Sequence, residues 1–326
     1  MPARLVVIAH RGASGYRPEH TLASYELAIR MGADFIEPDL CITRDGVLIA
    51  RHENELSRAT DVAGRPDFQD RRTRKAVDGV ELEGWFAEDF TLAEIKTLRA
   101  RQRFPFRDAA FDGQFEIATF EEALGLARRH GVGVYPETKH PTYFRQLGLP
   151  LEESMVEALH AAGFQGRDAP VFLQSFETGN LRHLRTLTDL PLVQLLDVDG
   201  RPWDDARSYD DLATPAGLAE VSSYADGIGP NKRMIVPAGP DLRLLSPTTL
   251  VENAHRAGLL VHPWTLRSDG PFLAPDYQGD PEREYEQLLG LGVDGLFSDF
   301  PDLARRMVDG LEPTSEQAAL PQDPYR

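Results

Sequence analysis

From Leu5 to Asp309 the chain repeats one unit, a short apolar β-rich run followed by an amphipathic helix. Such a repeat builds a parallel sheet covered by helices, because each crossover returns the chain to start its next strand in the same direction. It is not the pattern of a sandwich or a bundle. The candidate strands are 5–10, 35–40, 47–52, 132–137, 171–175, 191–196, 226–230, 259–264 and 294–298. These nine runs compete for the eight places of a TIM-type (β/α)8 barrel, whose usual core of roughly 250 residues fits within the chain. The turn Arg44-Asp45-Gly46 is tight enough to make a hairpin of the second and third runs, which would leave one run outside the barrel.

The helices carry clear punctuation. Thr119 and Glu122 form a capping box, with Phe120, Leu124 and Ala127 on one face and Gly131 as the stop. Ser246 and Pro247 are read as the N-cap and first turn of a helix ending at Gly258, and others fall near 21–31, 152–162, 178–188, 215–224, 282–290 and 301–309. After His52 the rhythm breaks until Thr119. That stretch holds RRTRK at 71–75, Gly84-Trp85 and a helical run from Thr91 to Leu98, so an inserted small subdomain or lid is expected over about 53–115. The basic run RARQRFPFR at 99–107 has two readings, a solvated surface or a device that draws an anionic substrate to the barrel mouth. The barrel unit is placed at 1–310 and a frayed C-terminal tail at 311–326.

Acidic residues outnumber basic ones by 52 to 35, a formal net charge of −17, which argues against a nucleic-acid partner or an anionic membrane surface. Cys41 stands alone, so no intramolecular disulfide forms, and a buried core thiol is its expected role. No apolar stretch approaches the roughly 20 residues that span a bilayer. Stable membrane insertion is therefore not expected. With its first strand entered by Leu5, the chain as written reads as cytoplasmic, or as exported if a leader was trimmed. Oligomeric state is not read from the sequence.

The chemistry concentrates where strands end. His10 closes LVVIA and His52 closes VLIA, while Glu37 and Asp39 stand two apart at the end of the second run. Alternate residues of a strand project to one face, so these two carboxylates need a counter-charge. Glu137 and Lys139 repeat the spacing, either as an internal salt bridge or as a third oxygen ligand and a phosphate contact. Oxygen-only ligation suits Mg²⁺, Ca²⁺ or Mn²⁺ rather than zinc. Two imidazoles beside such an ion could divide the giving and taking of a proton. Arg11 offers a planar fork for phosphate oxygens, and Trp264 an apolar wall for a small polyol. Gln174 is similarly placed. Gly12 and Gly15 allow a tight strand-to-helix turn. Glu19 is read as a capping or bridging residue of that loop, and the other histidines, including His20, His140 and His262, as structural or exposed.

Taken in order, HRG followed by PEHT, the Glu-x-Asp step, DGVLIARHE, PETK, HPWT and GLFSDFPD resemble the glycerophosphodiester phosphodiesterase family, over nearly the whole chain and in the manner of its larger bacterial members. The resemblance implies cleavage of a small-molecule glycerophosphodiester to glycerol 3-phosphate and an alcohol. It further implies His10 and His52 as the acid–base pair, and Glu37, Asp39 and Glu137 as ligands of one divalent cation, Ca²⁺ or Mg²⁺. Arg11 and Lys139 would contact the phosphate. His20 stands where many members have asparagine, and Glu53 where aspartate is frequent. Two rivals share some of these features. A related barrel lipase should show an exposed apolar rim, and a non-catalytic glycerol phosphate binder would have no need of every reactive group.

Overall fold

The computed structural model describes residues 5–310; the tail expected at 311–326 lies outside them. Strands Val6–His10, Phe35–Glu37 and Gly133–Val134 run parallel to one another and to Gly295–Ser298. A second ladder joins Asp39–Ile42, Glu137–Thr138, Leu173–Ser175, Leu192–Leu196, Gly227–Pro230 and Leu260–Val261, again parallel. The two ladders are one cylinder interrupted by prolines. Pro38 divides the second barrel strand and Pro136 the third, each lacking the N–H that an unbroken ladder requires. Their carbonyls still accept, from Glu137 N–H at 3.1 Å and Gln174 N–H at 3.0 Å. Closure comes from Asp294 N–H to Val261 O at 2.9 Å and Phe297 N–H to Pro263 O at 3.1 Å.

The run left over from the eight barrel places is the third, 47–52, which lies outside the cylinder. Asp39–Ile42 continues past the barrel rim, and Leu48–Ala50 returns antiparallel to it, with Leu40 opposite Ala50. The expectation that His52 ends a barrel strand is thereby corrected: it follows the return arm of a hairpin. Arg51 N–H donates to Asp39 O at 2.7 Å, which brings His52 back to the level of the carboxylates.

Strand alternation separates two layers inside the barrel. Ile8, Phe35, Tyr135, Val193 and Phe297 form a buried apolar floor. Two residues further along three of these strands stand His10, Glu37 and Glu137, so the same periodicity that packs the floor aims the polar groups at the C-terminal mouth. The other strand faces pack on the outer helices, among them Leu22–Arg30, Phe120–His130, Glu152–Ala161, Thr178–Leu187, Glu282–Gly290 and Pro301–Asp309. The helix expected from Ser246 starts later, at Leu250–Arg256. Thr248 explains the delay, since its N–H and hydroxyl are taken by Ile235 O and Met234 O and hold the preceding residues out of the helix.

After His52 the chain forms an antiparallel hairpin, Thr73–Val77 with Val80–Gly84, and a short capped helix, Leu92–Ile95. Trp85, Phe86, Phe90, Ile95 and Leu98 belong to the same apolar cluster as Phe120 and Leu124, so this stretch is packed on the barrel rather than around a core of its own. Among the described residues no helix is long and apolar enough to cross a membrane.

Candidate active site

Three acids meet at the mouth. Glu37, Asp39 and Glu137 are buried, with a carboxylate oxygen from each lying within 4.8 Å of the others. Adjacent strands set this distance, because Asp39 and Glu137 are ladder partners. Glu37 accepts from Arg11 N–H at 2.9 Å and from the Gln174 amide at 2.9 Å. Asp39 Oδ2 faces His20 Nε2 at 3.0 Å and Arg11 Nε at 3.3 Å, whereas its buried Oδ1 has no partner. Glu137 is met by Lys139 Nζ at 2.7 Å.

Three buried carboxylates cannot all carry charge without compensation. Burial and the neighbouring Asp39 charge push Glu37 well above its ordinary range. Burial raises Glu137 to about 8 against the pull of Lys139. For Asp39 burial acts upward too, yet the His20 bond and the Arg11 charge outweigh it and hold the group well below the usual range. The partnerless Asp39 Oδ1 and two acids driven toward neutrality are what a hard divalent ion would relieve, and an all-oxygen cradle suits one.

Both imidazoles face the same cavity of about 340 Å³, which is also lined by Arg11, Lys139 and Trp264. His10 Nδ1 lies 2.6 Å from Asp299 Oδ1, leaving Nε2, 3.5 Å from Thr265 Oγ1, on the cavity side. Burial lowers His10 to about 4, with Arg11 adding to the effect and Asp299 opposing it. His52 Nε2 stands 3.4 Å from Lys139 Nζ, and its Nδ1 is 2.9 Å from Glu53 Oε1. Burial, Arg11 and Lys139 depress it well below the ordinary imidazole range. Both shifts favour the neutral ring, the form that a proton acceptor needs.

The turn after His10 is as tight as its glycines suggest. Gly12 has φ +87°, and a Cβ there would sit 2.5 Å from Ser24 Oγ. Arg11 itself is left-handed, with φ 61°, and its guanidinium bonds Glu19 at 3.1 Å. Glu19 is thus a bridge within the loop. Trp264 donates from Nε1 to Gly229 O at 2.7 Å, and its ring meets Phe176 edge to face as one wall of the cavity. His10, Arg11, Glu37, His52, Glu137, Lys139 and Trp264 all line this one cavity, and Asp39 completes the carboxylate cluster beneath it.

Several participants escaped the sequence reading. Asp299 follows strand Gly295–Ser298 directly, so the strand-end rule that selects Glu37 would have selected it within GLFSDFPD. His20, read as structural or exposed, is buried against Asp39, and Glu53 stands behind His52. Arg103 and Arg107 are turned inward rather than solvated: Arg103 lines the cavity, and Arg107 donates to Asp299 at 2.6 Å. Arg267 reaches the same Asp299 oxygen at 3.2 Å. The basic run 99–107 marks Arg103 and Arg107 as positive charge, one of its two readings being a place at the barrel mouth, but not as partners of Glu53 and Asp299, and nothing local marks Arg267.

Residues 10–303 match the family model of the glycerophosphoryl diester phosphodiesterase family. A glycerophosphodiester phosphodiesterase of Arabidopsis thaliana is 41% identical over 309 residues, covering 90% of this chain and 83% of its own. The Haemophilus influenzae glycerophosphodiester phosphodiesterase is 32% identical, covering 96% and 92% respectively. Among solved structures, an Oleispira antarctica phosphodiesterase in complex with the product sn-glycerol-3-phosphate shares the fold, with a TM-score of 0.62 at 23% identity over 93% of this chain and 96% of that one.

Proposed function

The chain belongs to the glycerophosphoryl diester phosphodiesterase family, and from that premise we propose that it hydrolyses glycerophosphodiesters to glycerol 3-phosphate and an alcohol, with His10 and His52 sharing proton transfer beside a divalent cation. The observation that carries this reading is the convergence of two imidazoles with Glu37 and Glu137 on one cavity, with Asp39 completing the carboxylate cluster beneath it. Glu37, Asp39 and Glu137 would hold the ion, whose bound charge supplies Lewis-acid stabilisation of the phosphoryl group. Arg11 and Lys139 place further positive charge at the same cavity, where a phosphodiester anion needs it.

The leaving alkoxide is the difficult step, because it departs slowly unless protonated. Asp299 engages His10 Nδ1, so the exchangeable site of that ring is Nε2 on the cavity side. His52 lies across the cavity beside Lys139. One ring enters neutral and takes the nucleophile's proton, while the other must enter as imidazolium to give its proton to the departing oxygen, so the pair is reset by passing one proton back through solvent. Trp264 and Phe176 offer apolar faces to the carbon chain of the glycerol unit.

The test is turnover on a panel of glycerophosphodiesters and intact phospholipids, with and without chelator. Release of alcohol from the soluble diesters, abolished by chelation, is the expected result. Full activity in chelator would refute the metal, and cleavage of phospholipids alone would move the enzyme to the lipase class.

A further inference from the structure

The basic stretch 99–107 has no part in the reaction as set out above, yet two of its arginines stand directly behind the two histidines. Arg103 donates to both oxygens of Glu53, at 2.8 and 2.5 Å, and Glu53 lies 2.9 Å from His52 Nδ1. Arg107 donates to Asp299 Oδ2 at 2.6 Å, while Asp299 Oδ1 meets His10 Nδ1 at 2.6 Å. Each imidazole is backed by a carboxylate and then a guanidinium, through a hydrogen bond at His10 Nδ1 and through a close charge contact outside hydrogen-bond alignment at His52 Nδ1. Both guanidiniums leave one short segment of the inserted region.

That segment is itself fixed from outside. Arg107 is clamped by both oxygens of Asp269, at 3.1 and 2.5 Å, and donates to Ser14 O at 3.1 Å. Its guanidinium lies 4.8 Å from the Phe104 ring centre, and Phe104 packs edge to face on Phe272 at 5.2 Å. Arg103 also touches Glu19, the partner of Arg11, at 3.3 Å. A carboxylate that accepts from an imidazole fixes its tautomer and ring plane, and the carboxylate is in turn fixed by whatever occupies its other oxygen. With Arg107 and Arg267 on Oδ2, Asp299 presents Oδ1 to His10 and cannot turn away.

We propose that residues 103–107 form a positioning strap, through which the inserted region sets the orientation of both histidines by way of Glu53 and Asp299. Arg103 and Arg107 are positioning residues in this scheme. The inference rests on His10 and His52 being the proton-transfer pair.

The experiment is a pair of double-mutant cycles on glycerophosphoethanolamine hydrolysis, Arg107→Ala with His10→Ala and Arg103→Ala with His52→Ala, with kcat and KM measured separately. Arg107→Ala is expected to lower kcat about ten-fold or more with KM within about two-fold, and Arg107→Lys to recover part of the loss. In the His10→Ala background the same change should cost less than about two-fold, because its route through His10 is gone. The Arg103 and His52 cycle should behave alike. A full ten-fold loss in the histidine-free backgrounds, or a loss carried by KM, would overturn the strap. Should Arg107→Ala not fold, Asp269→Asn loosens the same guanidinium from its outer side, and the same non-additivity with His10→Ala decides. Wild-type turnover in His10→Ala would instead sink the underlying assignment, and is told apart by that single variant.

Discussion

Glu37, Asp39 and Glu137 owe their positions to backbone ladder pairing, with Asp39 in register opposite Glu137 on the neighbouring strand. His10 and His52 also leave the ends of strands or hairpins, but their rings are set by side chains that arrive from far along the chain, Asp299 behind one and Arg103 by way of Glu53 behind the other. The carboxylate half is built by the cylinder itself, whereas in the imidazole half the cylinder supplies His10, opposite Glu37, and Asp299, while His52 and the guanidiniums behind both rings come from the hairpin and loops laid over it. Ladder geometry tolerates change in side chains above it, whereas a chain of ion pairs is only as rigid as each link.

The contrast can be broken at several depths. Removing the cradle's charge by Glu37→Gln with Asp39→Asn should lower turnover on the order of 10³-fold or more, with no recovery in excess cation. A metal titration followed calorimetrically should lose its binding isotherm in the same variant. His10→Ala or His52→Ala should each cost about 10²–10⁴ in kcat with the fold intact by circular dichroism, and near wild-type rates in both would end the proton-transfer assignment. Asp299→Asn keeps shape but removes the charge behind His10. A fall of about 10–100-fold in kcat is expected, with metal affinity unchanged, and an altered metal affinity would mean that the two halves are not separate.

The gentlest probe is acid stability. Burial holds His10 and His262 at about 4 in the folded protein, against 6.5 as their ordinary value. The unfolded chain therefore binds more protons between these limits, and the stabilisation, full above pH 6.5, is lost as pH falls toward 4. Each imidazole contributes up to about 1.4 kcal/mol per pH unit across that window. His262→Gln keeps a partner for the Tyr135 hydroxyl, 2.9 Å away in the wild type. Denaturant midpoints measured at pH 4.5 and 7 should lie closer together in this variant, and an unchanged difference would show that His262 takes up no proton on unfolding.

The cradle was legible because strand alternation is a local code: two acids two residues apart must share a face, and Glu137 with Lys139 repeats the rule. The barrel was legible for the same reason, through the recurrence of strand and helix signals. The third run resisted, since an apolar stretch of that length reads alike whether it pairs parallel or antiparallel. Its direction is settled by pairing with Asp39–Ile42. The helix start expected at Ser246 is decided by bonds from Thr248 to Met234 and Ile235, which no local pattern encodes. Arg107 and Asp299 are 192 positions apart. A run of basic residues reads either as solvated surface or as charge at the barrel mouth until the fold brings acids to it, and the partners of Arg103 and Arg107, Glu53 and Asp299, are not local to the run.

The hairpin that carries His52 acts as a ruler. Its two arms are pinned at Leu40 with Ala50 and at the Arg51 N–H with Asp39 O, so the span from acid to imidazole depends on the arms and not on the connecting tip. Residues added at 44–46 leave that span unaltered and act instead on the bonds from Arg44 N–H to Phe90 O and from Leu92 N–H to Asp45. A single residue added within 48–51 shifts the pairing and swings His52 to the opposite face. The stem is thus closed to insertion by the site, while the tip is constrained only by its contacts with the inserted region.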